Sequence, residues 1–200
     1  MARRILIVFA HPILERSRVN RRLIDGVRDL DGVTVHDLYE VYPTFAVDPA
    51  REQALLIAHD VIVLHHPFYW YSAPALLKEW MDLTFALGWA YGPGGVALRG
   101  KLMLNAITTG GSAEAYRAEG KNRFTIRELL APFDQSAHLC GMTYLAPFVV
   151  HGALRLGDAD DVEPHVRAYR ALLTALRDDT LDLGAAQRAP TLRVAAGGVA

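Results

Sequence analysis

The chain has one cysteine, Cys140, which excludes an internal disulfide. Neither sign of charge is in excess, with 21 Lys and Arg against 22 Asp and Glu. The basic surplus that draws nucleic acid is missing, and so is an acidic tail. No apolar run approaches the roughly 18 residues needed to span a bilayer. Residues 1–10 imitate a signal peptide, but the apolar part falls short of the usual minimum of about seven residues and stops at His11-Pro12. A first strand is the better reading, with cytoplasmic location as the default. G-x-G-x-x-G and Walker A loops are absent, which disfavours a dinucleotide Rossmann site and a P-loop. Without H-E-x-x-H or paired cysteines, no metal site is expected. His65 and His66 are adjacent on a strand and point to opposite faces, so they cannot jointly chelate one ion.

What remains is 200 residues, 52% hydrophobic and 22% charged, the proportions of one ordinary globular domain. Five β-rich runs, at 5–10, 33–38, 61–65, 102–107 and 144–150, alternate with helical patterns. Three runs are nearly continuous in apolar residues, as strands covered on both faces are. The second alternates more, which suits a strand nearer an edge. Ser17 is placed to cap a first helix. Residues 49–59 make a second helix. Ser72 is placed to cap a third, with Pro74 in its first turn. A fourth spans 124–140 with a kink near Pro132. Val162, Val166, Tyr169, Leu173 and Leu176 mark the last. Strand–helix alternation implies a three-layer α/β/α fold on a parallel sheet, of flavodoxin-like order 2-1-3-4-5. Residues 1–180 form the domain. Residues 181–200 read as a C-terminal tail, flexible or ordered by a partner.

Three loops at strand C-termini converge on the edge where such sheets bind ligands. The first, residues 11–20, enters a helix whose N-terminus favours an anion. Ser17 and Asn20 add donors there, and His11 and Arg18 add potential positive charge. A capped helix with a surface arginine explains the same residues. The second carries His66-Pro67-Phe68-Tyr69-Trp70-Tyr71-Ser72, flat apolar surface in place of ordinary turn residues. Stacking on a tricyclic ring is worth about 0.5–1.5 kcal/mol per aromatic beyond area burial. Plugging a core or a subunit interface is the alternative. His66 reads either as a pocket-mouth residue or as a capping or surface histidine. The third, Thr108-Thr109-Gly110-Gly111-Ser112, reads as a loop that lets backbone approach a ligand and forms an anion-binding nest; a plain turn explains the same residues. Trp89 and Tyr91 read as cavity wall, dimer core or both, and Glu79 and Asp82 as a solvated helix face. Cys140 is expected buried and inert.

The chain resembles the flavodoxin-like NAD(P)H:quinone oxidoreductases, close to the ancillary proteins of glutathione-regulated potassium-efflux systems. The resemblance rests on His11-Pro12 with Ser17 and Asn20, on residues 66–72 with Pro74 and Leu76-Leu77-Lys78, and on Gly88-Trp89-Ala90-Tyr91-Gly92. Leu98-Arg99-Gly100-Lys101, Thr108-Thr109-Gly110-Gly111 and Cys140-Gly141 complete it. It implies that His11, Ser17 and Asn20 hold a flavin phosphate; Arg18, from its place in the same loop, is counted with them as cofactor-binding. It implies that Pro67, Phe68, Trp70, Thr109, Gly110 and Gly111 contact the ring; Tyr69 and Thr108, in the same loops, and Tyr116 are counted with them as cofactor-binding. Tyr116 matches a tyrosine that hydrogen-bonds flavin and works with a histidine six residues on. Here that position is Asn122, which cannot exchange a proton as histidine does, so Tyr116 stands as the single catalytic residue.

FMN is expected over FAD, because FAD-carrying relatives have longer chains. The implied function is ping-pong hydride transfer from NAD(P)H to a quinone or similar electrophile in a homodimer. The alternative is a flavin-binding regulatory subunit docked on a potassium-efflux transporter at the inner face of the membrane. A flavodoxin-like electron carrier fits less well, because such carriers are markedly acidic.

Overall fold

Strand parity divides the interior. In β1 (Ile5–Phe9), Ile5, Ile7 and Phe9 enter one core while Leu6 and Val8 enter the other. In β3 (Val61–Pro67), Val61 and Val63 join the first core and Ile62 and Leu64 the second. A period of two on a sheet covered on both sides produces this. With β2 (Val33–Asp37), β4 (Leu102–Thr108), β5 (Thr143–Tyr144) and β6 (Phe148–Val150), these strands form a parallel sheet of order β2-β1-β3-β4-β5, as expected. The alternating second strand lies at the edge, with only His36 buried. The computed structural model describes residues 2–157, 159–192, 194–195 and 198–199.

Helices α1 (Arg18–Asp25), α2 (Leu38–Val41), α3 (Pro49–Ala58), α4 (Ala75–Thr84), α5 (Ile126–Leu129), α6 (Ala131–Leu139), α7 (Ala159–Arg177) and α8 (Leu183–Arg188) follow the strands. Helices α1 and α7 cover the first core, and α4, α5 and α6 the second. Within the second core Glu52 is fully buried. It accepts from Tyr42 Oη (2.6 Å) and Trp80 Nε1 (2.7 Å) and lies 2.8 Å from His36 Nε2. Burial pushes the Glu52 carboxyl up, but these partners outweigh it and hold its pKa below the usual value.

Several boundaries differ from expectation. Leu38 opens α2 instead of ending β2, because Asp37 Oδ1 accepts from the Tyr39 and Glu40 amides. Ser72 does not cap α4; the helix starts after Pro74, whose carbonyl accepts from Leu77 N at 3.0 Å. The 124–140 segment is two helices, α5 under a Thr125–Glu128 capping box and α6 with Pro132 in its first turn. The fifth strand is split at Leu145-Ala146-Pro147.

The C-terminal segment explains that split. Ala146 N donates to Ala186 O at 3.0 Å, and Leu192 N donates to Pro147 O at 2.8 Å. Leu181, Ala186 and Leu192 are buried in the first core. Residues 181–192 therefore pack on their own domain, unlike the flexible or partner-ordered tail expected there. Their apolar positions are too sparse to announce a helix. Beyond them, β7 (Val194–Ala195) pairs antiparallel with β8 (Gly198–Val199). Residues 193, 196, 197 and 200, also part of the expected tail, lie outside the described residues.

Candidate active site

The first loop ends in a built donor pair. Asn20 is buried and gives its backbone N–H (3.2 Å) and a side-chain N–H (2.9 Å) to Ser17 Oγ. Its other amide hydrogen reaches Thr108 Oγ1 at 3.1 Å; the reverse bond to Asn20 Oδ1 is longer, at 3.4 Å. Asn20 Oδ1 also accepts from His65 Nε2 at 3.2 Å. The amide thus occupies both hydroxyl oxygens as acceptors; Ser17 keeps its proton to donate, while the Thr108 proton has the longer bond to Asn20 Oδ1 as its alternative to a ligand. His65 Nδ1 then accepts from Tyr169 Oη at 3.2 Å. Burial, with lesser effects from His66 and His11, lowers the His65 pKa to about 3 and keeps the ring neutral.

His11 does not bring the expected charge. Its ring is buried between Phe9 and Tyr69, and burial lowers its pKa against the pull of Glu15. Its Nδ1 accepts from Ile13 N at 3.2 Å, so a neutral ring shapes the loop. Ser17, Arg18 and Asn20 line a cavity of about 300 Å³, together with Pro67, Tyr69 and Thr108. Arg18 also donates to Gly157 O at 3.2 Å.

The aromatic loop is strained and exposed. Trp70 and Tyr71 have φ of 49° and 61°, left-handed values that bulky residues rarely adopt. Such residues cost about 1–3 kcal/mol each and cluster at ligand clamps. Trp70 is 92% exposed. Phe68, by contrast, is buried and sits 6.2 Å from Tyr116 between ring centroids. His66 is neither a mouth residue nor a surface one: it is fully buried. Asn105 Nδ2 donates to its Nε2 at 2.9 Å, so its Nδ1–H donates to Pro67 O at 3.0 Å. Burial lowers its pKa to about 4. It fixes the peptide at which the aromatic loop begins.

The glycine loop closes the arrangement. Thr109 Oγ1 donates to Gly111 O at 2.9 Å and lies 3.3 Å from His151 Nδ1. A Cβ on Gly110 would come within 3.1 Å of Leu154 Cδ1, and one on Gly111 within 3.1 Å of Tyr116 Cε2. A side chain at either position crowds the groove, by an amount set by how far Leu154 and the Tyr116 ring yield. Tyr116 has its pKa raised by burial, partly offset by a hydrogen bond with Thr109. Asn122 Oδ1 accepts from Tyr71 Oη at 3.2 Å, so this asparagine ties the 116–122 turn to the aromatic loop.

A second cavity of about 760 Å³ lies among Trp70, Tyr71, Gly111, Tyr116 and Asn122. It meets the first at Phe68, Gly110 and Leu154, which line both. Both volumes fall in the range of small-molecule sites. One end offers hydroxyl donors beside Arg18, the other flat apolar walls, which suits a phosphorylated planar ring. Sequence reasoning missed Ala153, Leu154, Arg155 and His151. Their position directly after β6, at a strand C-terminus, was the available signal. Trp89 and Tyr91 are half-buried against the second core, Glu79 and Asp82 are exposed, and Cys140 is buried. Among the described residues no metal cluster occurs, and no helix is long and apolar enough to cross a membrane.

Comparison with known proteins agrees with this fold. The model of the Flavodoxin_2 family, described as a flavodoxin-like fold, matches residues 3–173. The glutathione-regulated potassium-efflux system ancillary protein KefG of Shigella flexneri is 46% identical over 166 residues, covering 83% of this chain and 90% of that protein. General stress protein 14 of Treponema denticola, solved in complex with FMN, is 41% identical at a TM-score of 0.81, covering 86% of this chain and 99% of that one. An NADPH-quinone reductase from P. pentosaceus is 36% identical at 0.77, covering 85% and 97%.

Proposed function

The chain belongs to the flavodoxin-like fold family Flavodoxin_2, and on that footing we propose that it is an FMN-dependent NAD(P)H:quinone oxidoreductase. The observation that carries the reading is the waist at Phe68, Gly110 and Leu154, which joins a donor-rich cavity to an aromatic one. The Ser17 and Thr108 hydroxyls, oriented by Asn20, hold the phosphate with Arg18. Pro67, Phe68, Tyr69 and Trp70 would hold the ring, with the 108–111 backbone. When bound, FMN would supply the hydride chemistry between nicotinamide and quinone.

The protein's share is positioning and electrostatics. Donors at the glycine loop would favour negative charge on the bound ring. Tyr116, with its proton held by a raised pKa, would donate a hydrogen bond to the bound ring. Nicotinamide and quinone use the same cavity in turn, hence ping-pong kinetics. A homodimer, with exposed Trp70 under the partner, completes the site. Location is cytoplasmic. The 46% identity to KefG proteins favours a second role, as a flavin-binding subunit on a potassium-efflux transporter. The two roles can coexist on one fold.

Purified protein should be yellow, or become so with FMN. It should oxidise NADH or NADPH with a benzoquinone and give parallel double-reciprocal lines. A colourless protein that ignores added FMN would end the enzyme reading.

A further inference from the structure

A third cavity, of about 750 Å³, has no part in the chemistry above. It lies behind Tyr116, which lines both it and the ring cavity. One wall comes from Ala113, Arg117 and the start of α5. The opposite wall comes from Arg188, Pro190 and Thr191, beyond the residues matched by the family model. This wall is fixed in place: Arg127 Nη1 donates to Gln187 O at 2.7 Å and Ala189 O at 3.1 Å.

The lining combines cations with apolar surface. Arg127 is engaged by those carbonyls and by Asp134, 3.7 Å away. Arg117 and Arg188 form no ion pair among the described residues. Glu114, held ionised mainly by its own backbone amide and by Ser112, feels Arg117 only as a lesser influence. Ala113, Ile126, Pro190 and the Tyr116 ring supply the apolar part. Two more cations, Lys121 and Arg155, edge the ring cavity next door. Positive groups thus run from the ring cavity into the third one, although the whole chain carries a net charge of -1.

This pattern matches one extended anion. A dinucleotide whose nicotinamide occupies the ring cavity must lead its pyrophosphate and adenosine out of it. Guanidinium groups bind phosphate in a bidentate fork, and an arginine is the usual partner of the 2′-phosphate of NADP. We propose that the third cavity receives the adenosine end of NADPH, with Arg117 and Arg188 on its 2′-phosphate, so that the enzyme prefers NADPH to NADH. This rests on the quinone reductase reading and adds the choice of donor to it.

FMN-saturated protein tests the assignment in two ways. Wild type should show a kcat/KM for NADPH at least tenfold above that for NADH. Arg188→Gln and Arg117→Gln should each cut the NADPH value about tenfold, move the NADH value less than twofold and leave flavin content unchanged. Equal efficiency with both nucleotides, or a ratio that neither substitution moves, overturns the proposal. Calorimetry with 2′,5′-ADP and 5′-AMP reads the site without turnover. Tighter binding of 2′,5′-ADP, lost in Arg188→Gln, supports it even if no quinone is reduced. Equal or absent binding of the two probes overturns it even if quinone reduction is observed.

Discussion

Asn20 Nδ2 lies 3.1 Å from Thr108 Oγ1, a bond across 88 residues of sequence. It locks the end of β4 to the first turn of α1 and sets which way the Thr108 hydroxyl donates.

Asn20→Asp should therefore act on the phosphate. A carboxylate only accepts, so it captures the Ser17 and Thr108 protons and repels the anion. Hydrogen bonds to charged groups are worth about 1.5–3 kcal/mol, so FMN affinity should fall roughly 10–100-fold. Riboflavin, lacking the phosphate, should change by less than about threefold. Flavin fluorescence titration separates the two; an equal loss for both would show that Asn20 serves only the fold.

Gly110 faces Leu154 across the waist. Gly110→Ala puts a methyl 3.1 Å from a Leu154 side chain that is 82% exposed and free to yield, so the loss of FMN affinity should be a few-fold, roughly 1 kcal/mol or less. Gly110→Val adds branches that fill the groove and should abolish flavin uptake. Unchanged affinity in the valine variant would show that the loop is not a cradle.

Tyr116→Phe removes one hydroxyl and keeps the ring against Phe68. Flavin should stay bound, while stopped-flow rates of reduction or reoxidation fall about tenfold, the size of one hydrogen bond. Wild-type rates would remove its catalytic role.

Stability should fall on mild acidification. His65 and His66 are buried neutral, with pKa values lowered to about 3 and about 4. The unfolded chain takes up these protons near pH 6.5. Their contribution is full above pH 6.5 and is lost as pH falls from there towards 4. The slope approaches about 1.4 kcal/mol per pH unit for each histidine. Urea midpoints measured from pH 7 to pH 5 check this; a flat profile would contradict it.

Glu52→Ala should be among the most damaging single changes. It strands the Tyr42 hydroxyl, the Trp80 indole and His36 without their acceptor. Breaking a buried pair in this way costs about 3–5 kcal/mol, read as a lowered midpoint in chemical denaturation. Because the carboxyl is held below its usual pKa, this contribution is present above about pH 4.5 and is lost below it.

Much of this was legible in the sequence because it rests on short-range pattern. Strand parity at Ile5–Phe9 and apolar continuity at Val61–Pro67 fix the layers. The Ser17 cap lies just before α1, where the pattern places it. Tertiary partners were not legible. Nothing local in His66 announces Asn105 and Pro67 O as its partners, and nothing in His11 announces burial against Phe9. Leu154 and His151 sit in the right place after a strand, but their residue types carry no distinctive signal. The helix at 183–188 has one buried side chain, Ala186, so no amphipathic stripe gives it away.

The hydrogen bonds from Ala146 N to Ala186 O and from Leu192 N to Pro147 O cover the margin of the sheet beyond β4 with a segment distant in sequence. Without residues 181–192 that margin is an open edge, the feature through which sheets stick to one another. Deleting them would spare the phosphate, aromatic and glycine loops, take Arg188 from the third cavity, and yield a protein inclined to aggregate.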